Sequence, residues 1–202
     1  EQFVRENGVR VVRRLSGGGA VYHDMGNLNF TFIADAGDME SINFRLFCRP
    51  VVAALAKIGV TAEINGRNDM TIDGQKFSGN SQYLKEGRVM HHGTIMFDSN
   101  LDLVAQALHV DQEKIRAKGI ASVRSRVTTV RRHMASPVTL EEFRSLLLRE
   151  ILEQQPGDEY VFTEEDKAQI AQLRAERYAT WEWNYGQSRD CEMRRQRRFP
   201  TC

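Results

Sequence analysis

An arginine pair followed by three glycines near the start of the chain could bind an anion. Arg13 and Arg14 precede Ser16 and the run Gly17 to Gly19. Glycine brings a backbone close to a ligand because no Cβ intervenes, and successive N–H groups in such a turn can form a concave anion site. Arginine adds charge and paired donors. The pattern predicts an anion-binding loop, with a glycine-rich hairpin carrying two solvated arginines as the alternative.

A lysine that follows a tight turn is the second candidate. Asp73 and Gly74 predict a two-residue turn between the strands Met70 to Ile72 and Gln75 to Phe77. Lys76 would then be held at the start of a strand, where its ammonium acts as a compact point charge. The alternative is an ordinary surface lysine beside a hairpin.

Two polar residues just before this hairpin add further possible contacts. Asn68 and Asp69 could orient Lys76 or hold a Mg²⁺ ion that shields a triphosphate. An Asn-Asp pair before a strand is equally typical of an ordinary Asx turn. The sequence leaves these alternatives open.

The adjacent histidines His91 and His92 invite a metal site, which strand geometry argues against. Neighbouring residues in a strand point to opposite faces, so one pocket cannot readily collect both imidazoles. We expect one histidine to face the candidate site and the other to pack or be solvated. His92 is favoured for the site because Gly93 beside it allows close backbone approach.

Composition indicates a globular chain whose small net charge does not favour binding to nucleic acid or to membranes. Its 202 residues carry a net charge of +1, with 41% apolar and 27% charged residues, which suits one α/β domain or one domain with a short appendage. No apolar run approaches the roughly 20 residues that a membrane helix needs. The three cysteines are widely spaced and predict neither a disulfide framework nor a zinc site, as in a reducing cytoplasm. They are Cys48, Cys191 and Cys202.

Hydrophobic periodicity predicts strands mainly in the first half of the chain and helices mainly in the second. The predicted strands are Val9 to Leu15, the alternating Leu28 to Phe32, Val60 to Ile64, the hairpin strands and Arg88 to Phe97, the longest. The predicted helices are Val51 to Ile58, Leu101 to Leu108, Asp111 to Lys118, Leu140 to Ile151 and Thr163 to about Tyr178. We therefore expect an α+β fold, with a mixed and largely antiparallel sheet covered by helices.

Two local details of these elements have alternatives. Pro50 either opens its helix at the first position or kinks a longer helix that begins near Asn43. Trp181 and Trp183 lie in a stretch that reads as extended, where a spacing of two puts them on one face. They would anchor this last segment onto the core or, as a second reading, form the wall of a ligand pocket.

Several segments, in this order, resemble the catalytic domain of lipoate–protein ligases, which belong to the biotin/lipoate ligase superfamily. They are Arg13 to Asp24, Gly66 to Asp69, Gly74 to Asn80, His91 to Thr94, Lys118 to Thr128 and finally Trp183 to Gly186. The resemblance implies a ligase-like catalytic domain over residues 1–187 that is incomplete at its N-terminus. Residues 188–202 would be a basic tail or the start of a missing C-terminal domain.

By the same resemblance, Lys76 is the catalytic residue and contacts both the acyl carboxylate and the α-phosphate. The residues expected to bind ATP or the adenylate are Arg14, Gly17, Gly18, Gly19, Ala20, Val21, Tyr22, Asn68, Asp69 and Lys76. We assign Lys76, His92 and Gly79 to lipoate, and Asp69 to Mg²⁺.

The resemblance implies an ATP-dependent ligase that forms lipoyl-AMP, releases pyrophosphate and transfers the lipoyl group to a lysine. The acceptors would be apo lipoyl domains of 2-oxoacid dehydrogenase E2 subunits or the glycine-cleavage H protein. One alternative is an octanoyl or lipoyl transferase with a cysteine acyl-enzyme, although Lys118 stands where such relatives carry the cysteine. Another is an incomplete domain that binds lipoyl-AMP or a carrier and needs a partner.

Overall fold

The computed structural model describes residues 2–37, 43–65, 68–108, 126–154 and 156–187. The chain separates into two compact units, of which the first comprises Glu1–Asn7 and Leu15–Glu159 and the second Gly8–Arg14 and Tyr160–Cys202. Four predicted features lie outside the described residues: Gly66 and Arg67, the helix Asp111 to Lys118, the segment after Lys118 up to residue 125, and the tail 188–202. Domain boundaries near residue 187 therefore stay a prediction.

The first unit contains a five-stranded sheet in which every neighbouring pair is antiparallel. Its strands are β1 (Asn27–Asp35), β2 (Glu63–Asn65), β3 (Asp69–Ile72), β4 (Gln75–Lys85) and β5 (Arg88–Met96), in the order β1-β5-β4-β3-β2. This confirms the predicted sheet, with two corrections of extent. β4 continues well past Phe77 and exceeds β5 in length, and the strand expected over Val60 to Ile64 is confined to β2.

Two tight turns set the register of the central strands. Asp73 and Gly74 join β3 to β4 with φ angles of 50° and 75°, and Glu86 and Gly87 join β4 to β5 with 51° and 73°. Positive φ at both central residues is the requirement of the hairpin turn whose twist matches that of its strands. The Asp-Gly signal in the sequence was therefore sufficient to place the first of these hairpins.

The helices are α1 (Gln2–Glu6), α2 (Phe44–Lys57), α3 (Leu101–Leu108), a 3₁₀ helix (Val130–His133), α4 (Leu140–Gln154) and α5 (Glu164–Leu173). The Asn43 side chain caps α2 and Pro50 lies inside it, so the longer helix is the correct alternative. Capping boxes open α4 at Thr139 and α5 at Thr163. None of the described helices is long and apolar enough to cross a membrane.

One face of the sheet forms the core of the first unit together with α2 and α4. Met70 and Ile95 from the sheet are fully buried against Leu55 of α2 and Phe143 of α4. Phe77 is buried in the same cluster. The opposite face of the same strands is thereby left to carry polar side chains, because successive residues of a strand alternate between faces.

Two predicted elements of the second unit are wrong. Residues 9–14 form neither strand nor helix, although their composition favours a strand. A strand needs a partner ladder, which sequence propensity alone does not supply. The Trp181 and Trp183 stretch is helical, with a π-helical turn over Glu182–Gly186. The two indoles therefore diverge, so that Trp183 is 7% exposed and Trp181 is 70% exposed.

Candidate active site

The main chain of Lys76 is held on both sides by a segment that arrives from much later in the chain. The Lys76 N–H donates to the Arg126 carbonyl at 2.8 Å, and the Thr128 N–H donates to the Lys76 carbonyl at 2.9 Å. Val127 lies parallel to Lys76 between these two bonds. The predicted position of Lys76 at the start of a strand after a tight turn is confirmed, and its backbone has a second support that the hairpin alone does not provide.

A β-bulge aims the Lys76 side chain away from the core. Met70 pairs with Ser78 while Thr71 pairs with Lys76, so Phe77 is an extra residue in β4. Phe77 enters the core, and Lys76 shares the opposite face with its partner Thr71. Bulges re-aim side chains in this way and are common beside functional sites.

Asp69 and Gly79 fix where the Lys76 ammonium lies. Lys76 Nζ is 2.6 Å from Asp69 Oδ1, and both side chains remain more than one third exposed. Asp69 pairs with Gly79 across the strands. A Cβ added at Gly79 would lie 3.1 Å from both Cε and Nζ of Lys76, so the lysine side chain extends directly over this glycine. Asp69 was expected to orient Lys76, to bind Mg²⁺ or to form an ordinary Asx turn. Its position supports the first of these roles.

Asn68 has a different role from its neighbour. Its side-chain amide donates to the Asn80 carbonyl at 2.9 Å, and the Asn80 N–H donates to the Asn68 carbonyl at 2.9 Å. These bonds extend the pairing of β3 and β4 by one residue. Asn68 thus supports the end of the β3–β4 pair beside Asp69, and its predicted contact with ATP stays a prediction.

The glycine loop, defined as Ser16 to Gly19, lies against the same face of the sheet as Lys76. Ser16 Oγ is 2.5 Å from His92 Nε2, and Ser81 Oγ donates to the Gly17 carbonyl at 3.1 Å. Ser81 and His92 are cross-strand partners, and Ser81 is two residues beyond Gly79 in β4. Strand alternation puts all three on the face that Lys76 occupies. The loop and the lysine therefore face a common region.

The glycine loop has a backbone conformation that favours glycine. Gly18 has a φ of 112°, in the region that favours glycine. Among the described residues, a Cβ added at Gly17 or Gly19 would meet no atom within 4 Å. Beyond the loop, Ala20 and Val21 are exposed and Tyr22 is half-buried. Their predicted backbone contacts with a nucleotide stay a prediction.

The two histidines point to opposite faces, as expected. His92 lies on the face of Lys76 and the glycine loop. His91 is fully buried on the core side, stacked on Phe47 with ring centres 4.8 Å apart, and its Nδ1 is 2.9 Å from Gln82 Nε2. Burial, with a smaller effect from His92, lowers the pKa of His91 to about 4, so this imidazole is neutral at physiological pH.

Gly93 serves the packing of the core side of the sheet. A Cβ at Gly93 would collide with Asn80 Oδ1 and with the Phe30 ring. This internal contact, and not room for a ligand beside His92, is the observed reason for a glycine there. His92 lies on the expected face, and the predicted contacts of His92 and Gly79 with lipoate stay predictions.

The residues described do not build a protein cage for Mg²⁺. No three His, Cys, Asp or Glu side chains converge in the part of the chain that the structure describes. Asp69, the predicted ligand, directs Oδ1 to the Lys76 ammonium. Mg²⁺ in nucleotide sites usually keeps several waters and is bound by one or two carboxylates with the phosphates. A metal contact of Asp69 stays a prediction.

Cys48 is unsuited to be the nucleophile of an acyl-enzyme. It lies in α2 with 1% of its surface exposed, and burial raises the pKa of its thiol to about 11. A thiol attacks as the thiolate, which this environment disfavours. Cys191 and Cys202 lie outside the described residues.

In the second unit, the helical turn of Trp183 holds the backbone of Arg13. Trp183 Nε1 donates to the Arg13 carbonyl at 3.0 Å, and the Arg13 N–H donates to Asn184 Oδ1 at 2.9 Å. The Arg177 guanidinium covers the Trp183 indole at 4.4 Å. Arg14 follows directly and is half-buried. Its contact with phosphate stays a prediction.

Sequence reasoning did not single out several residues that this arrangement uses. Ser81 has the strand spacing from Gly79 that would have found it. Thr128 and His133 had no such signal, because their contacts with the lysine strand depend on the return of a distant segment. Ser16 was noted only as part of the glycine-rich motif.

The fold and the site together define a class: an antiparallel α+β catalytic domain of the lipoate ligase-like fold. The chain belongs to the lipoyl protein ligase A/B catalytic domain family, whose model matches residues 1–152. It is similar to lipoate-protein ligase LplJ of Bacillus subtilis, with 51% identity over 99% of this chain and 61% of that protein. The chain thus spans about three fifths of the length of this relative.

Two solved structures support the same relationship. One belongs to an archaeal lipoylation system from Thermoplasma acidophilum, a bi-partite lipoate protein ligase with its E2 lipoyl domain. It has 31% identity and a TM-score of 0.80 over 95% of this chain and 76% of that one. The other is lipoate-protein ligase A bound with ATP, with 29% identity and a TM-score of 0.77 over 92% of this chain and 75% of that one.

Proposed function

We propose that this chain activates lipoate with ATP and transfers the lipoyl group to a lysine of an apo lipoyl domain. The observation that carries the proposal is the placement of the Lys76 ammonium, held by Asp69 at 2.6 Å, on the sheet face against which the glycine loop lies. An acid and a nucleotide are both anions, so a site that joins them needs cationic and N–H donors aimed at one region. Family membership and the ATP-bound neighbour support the same conclusion.

The first step joins the two anions. A carboxylate oxygen of lipoate attacks the α-phosphorus of ATP, the bond to the β-phosphate oxygen breaks, and pyrophosphate leaves. Lys76 places its positive charge between the carboxylate and the α-phosphate, where negative charge develops in the transition state. The N–H groups of Gly17 to Gly19 supply donors for the phosphates. Mg²⁺ accompanies the triphosphate.

The second step transfers the acyl group. The neutral amine of the acceptor lysine attacks the carbonyl carbon of lipoyl-AMP, AMP leaves as the anion, and the nitrogen loses a proton to form an amide. The E2 lipoyl domain found with the archaeal neighbour supports a carrier of this kind. Glycine-cleavage H protein is a second candidate carrier.

Lipoate-dependent exchange of pyrophosphate into ATP tests the first step with the chain as it is. We expect exchange, and a loss of at least about 100-fold in Lys76→Ala, the scale of removing a major charge stabiliser. Lys85→Ala is the matched control, since Lys85 lies in the same strand but its side chain is 64% exposed and pairs with Glu86, which is 81% exposed. Wild-type exchange in Lys76→Ala, or none in the unaltered chain, would contradict the proposal.

Intact-mass measurement of an apo lipoyl domain tests the second step and the main alternative. The domain is incubated with the chain, lipoate and Mg²⁺, with and without ATP. We expect modification only with ATP. Acyl transfer from an acyl carrier without ATP, lost on replacing a single cysteine, would instead identify a transferase.

A further inference from the structure

A threonine, a histidine and an aspartate form a chain of contacts behind Lys76. Thr128 Oγ1 is 2.8 Å from His133 Nε2, and His133 Nδ1 is 3.2 Å from Asp73 Oδ2. A neutral imidazole with its proton on Nδ1 satisfies both partners, because it donates to the carboxylate and accepts from the hydroxyl. Thr128 is 1% exposed, whereas Asp73 lies at the surface.

Both ends of this chain of contacts act on the backbone that carries Lys76. Asp73 occupies the turn that starts β4, three residues before the lysine. Thr128 donates its N–H to the Lys76 carbonyl at 2.9 Å. His133, at the end of the 3₁₀ helix, connects the two. The His133 imidazole therefore completes a ring of contacts in which the first residues of β4 take part.

The order hydroxyl, imidazole, carboxylate also occurs in nucleophilic sites, and burial decides against that use here. A nucleophile must be reachable by the acyl group, and Thr128 exposes 1% of its surface. Its buried hydroxyl would lose this partner if His133 were removed, which is unfavourable for a polar group out of water. The contacts thus act on the position of the segment and not on a substrate.

We infer that Thr128 and His133 are positioning residues for Lys76. They fix residues 126–128, whose N–H and carbonyl groups bond the main chain of Lys76 and so set the position of its side chain. The inference rests on the proposed role of Lys76. The effect is transmitted through two backbone bonds at 2.8 and 2.9 Å, so loss of the side-chain contacts loosens the lysine without removing its charge. Neither residue touches the reacting atoms.

The test is a double-mutant cycle between Thr128→Val and Lys76→Ala, read by pyrophosphate exchange at saturating lipoate and ATP. Valine keeps the shape of threonine and removes the hydroxyl. We expect Thr128→Val to lower the maximal rate about tenfold, since small misplacement of a catalytic group is costly. Thr128→Ser should restore it to within about twofold. In the Lys76→Ala background, Thr128→Val should change the remaining rate less than about twofold, since residues acting through one another are non-additive.

Thr129→Val is the matched control. Thr129 is 3% exposed, adjacent in sequence, and makes no capping bond to the 3₁₀ helix. We expect Thr129→Val to leave the maximal rate within about twofold of that of the unaltered chain. Since Thr128→Val and Thr129→Val both put a valine in place of a buried threonine, any destabilisation from that change should appear in both. Should Thr128→Val fail to fold, His133→Leu removes the same contacts from a site nearer the surface.

The outcomes separate this inference from the proposed function. A full rate in Thr128→Val or His133→Leu, beside a large loss in Lys76→Ala, overturns the inference and keeps the role of Lys76. An equal loss in Thr129→Val, or a tenfold loss that persists in the Lys76→Ala background, overturns it as well. Wild-type exchange in Lys76→Ala overturns the proposed function itself.

Discussion

Replacing Gly79 with alanine separates the position of the Lys76 ammonium from the stability of the sheet. The new Cβ would lie 3.1 Å from Cε and Nζ of Lys76. Carbon contacts are most favourable at about 3.5–4.0 Å, so the end of the lysine must move by roughly 0.5 Å. A misplacement of about 1 Å can cost about 100-fold in rate. We therefore expect pyrophosphate exchange to fall about tenfold.

The fold should tolerate this change. Gly79 does not have one of the positive φ angles that disfavour side chains. Alanine restricts the unfolded chain more than glycine does, so the free energy of unfolding should stay equal or rise by up to about 1 kcal/mol.

The assay pairs exchange rates with urea unfolding, and Gly157→Ala is the control because, among the described residues, its Cβ would meet only Leu152 Cδ2, at 3.9 Å. An exchange rate in Gly79→Ala within about twofold of the unaltered chain would refute the reasoning. So would a loss explained by an unfolded fraction.

Three further changes have expected outcomes. Asp69→Asn removes the charge that orients Lys76 and should slow exchange about tenfold, while unfolding free energy measured in urea changes by less than about 1 kcal/mol, since exposed ion pairs stabilise little; an unchanged rate would argue against orientation. Trp183→Phe removes the indole donor to a backbone carbonyl and should lower the thermal midpoint, whereas Trp181→Phe, at an exposed position, should not. The lowered pKa of His91 means that the unfolded chain binds more protons than the folded one between pH 6.5 and about 4. The contribution of His91 to the free energy of unfolding is therefore fully present above pH 6.5 and should decrease, by at most about 3 kcal/mol, as the pH falls from 6.5 to about 4. In His91→Leu, the free energy of unfolding measured in urea should vary less with pH over this range.

Local signals in the sequence predicted those elements whose cause is local. The Asp73-Gly74 turn works through backbone angles that few residues adopt, and the predicted helices α4 and α5 begin at Thr139 and Thr163, whose capping contacts lie within one helical turn. Alternation in β1 predicted a half-buried strand. Each of these depends on residues at most a few positions apart, so the sequence contains the whole cause.

Predictions failed where the cause lies elsewhere in the chain. Residues 9–14 have strand-like composition, but no strand pairs with them among the described residues. The spacing of Trp181 and Trp183 suggests a shared strand face, but the segment is helical. Its Trp183 side chain donates to the Arg13 carbonyl and its Asn184 side chain accepts from the Arg13 N–H, about 170 positions away. Neither contact can be inferred from a short window.

The sequence by itself determined which groups are available for chemistry: a lysine after a tight turn, a glycine-rich segment after two arginines, and the opposite orientation of His91 and His92. Tertiary structure alone decided which of these groups meet. The bulge at Phe77 turns Lys76 to the polar face, and the return of residues 126–128 fixes its backbone. The second effect arises from pairing between segments far apart in sequence, and the first puts Phe77 into a core that is built from several such segments.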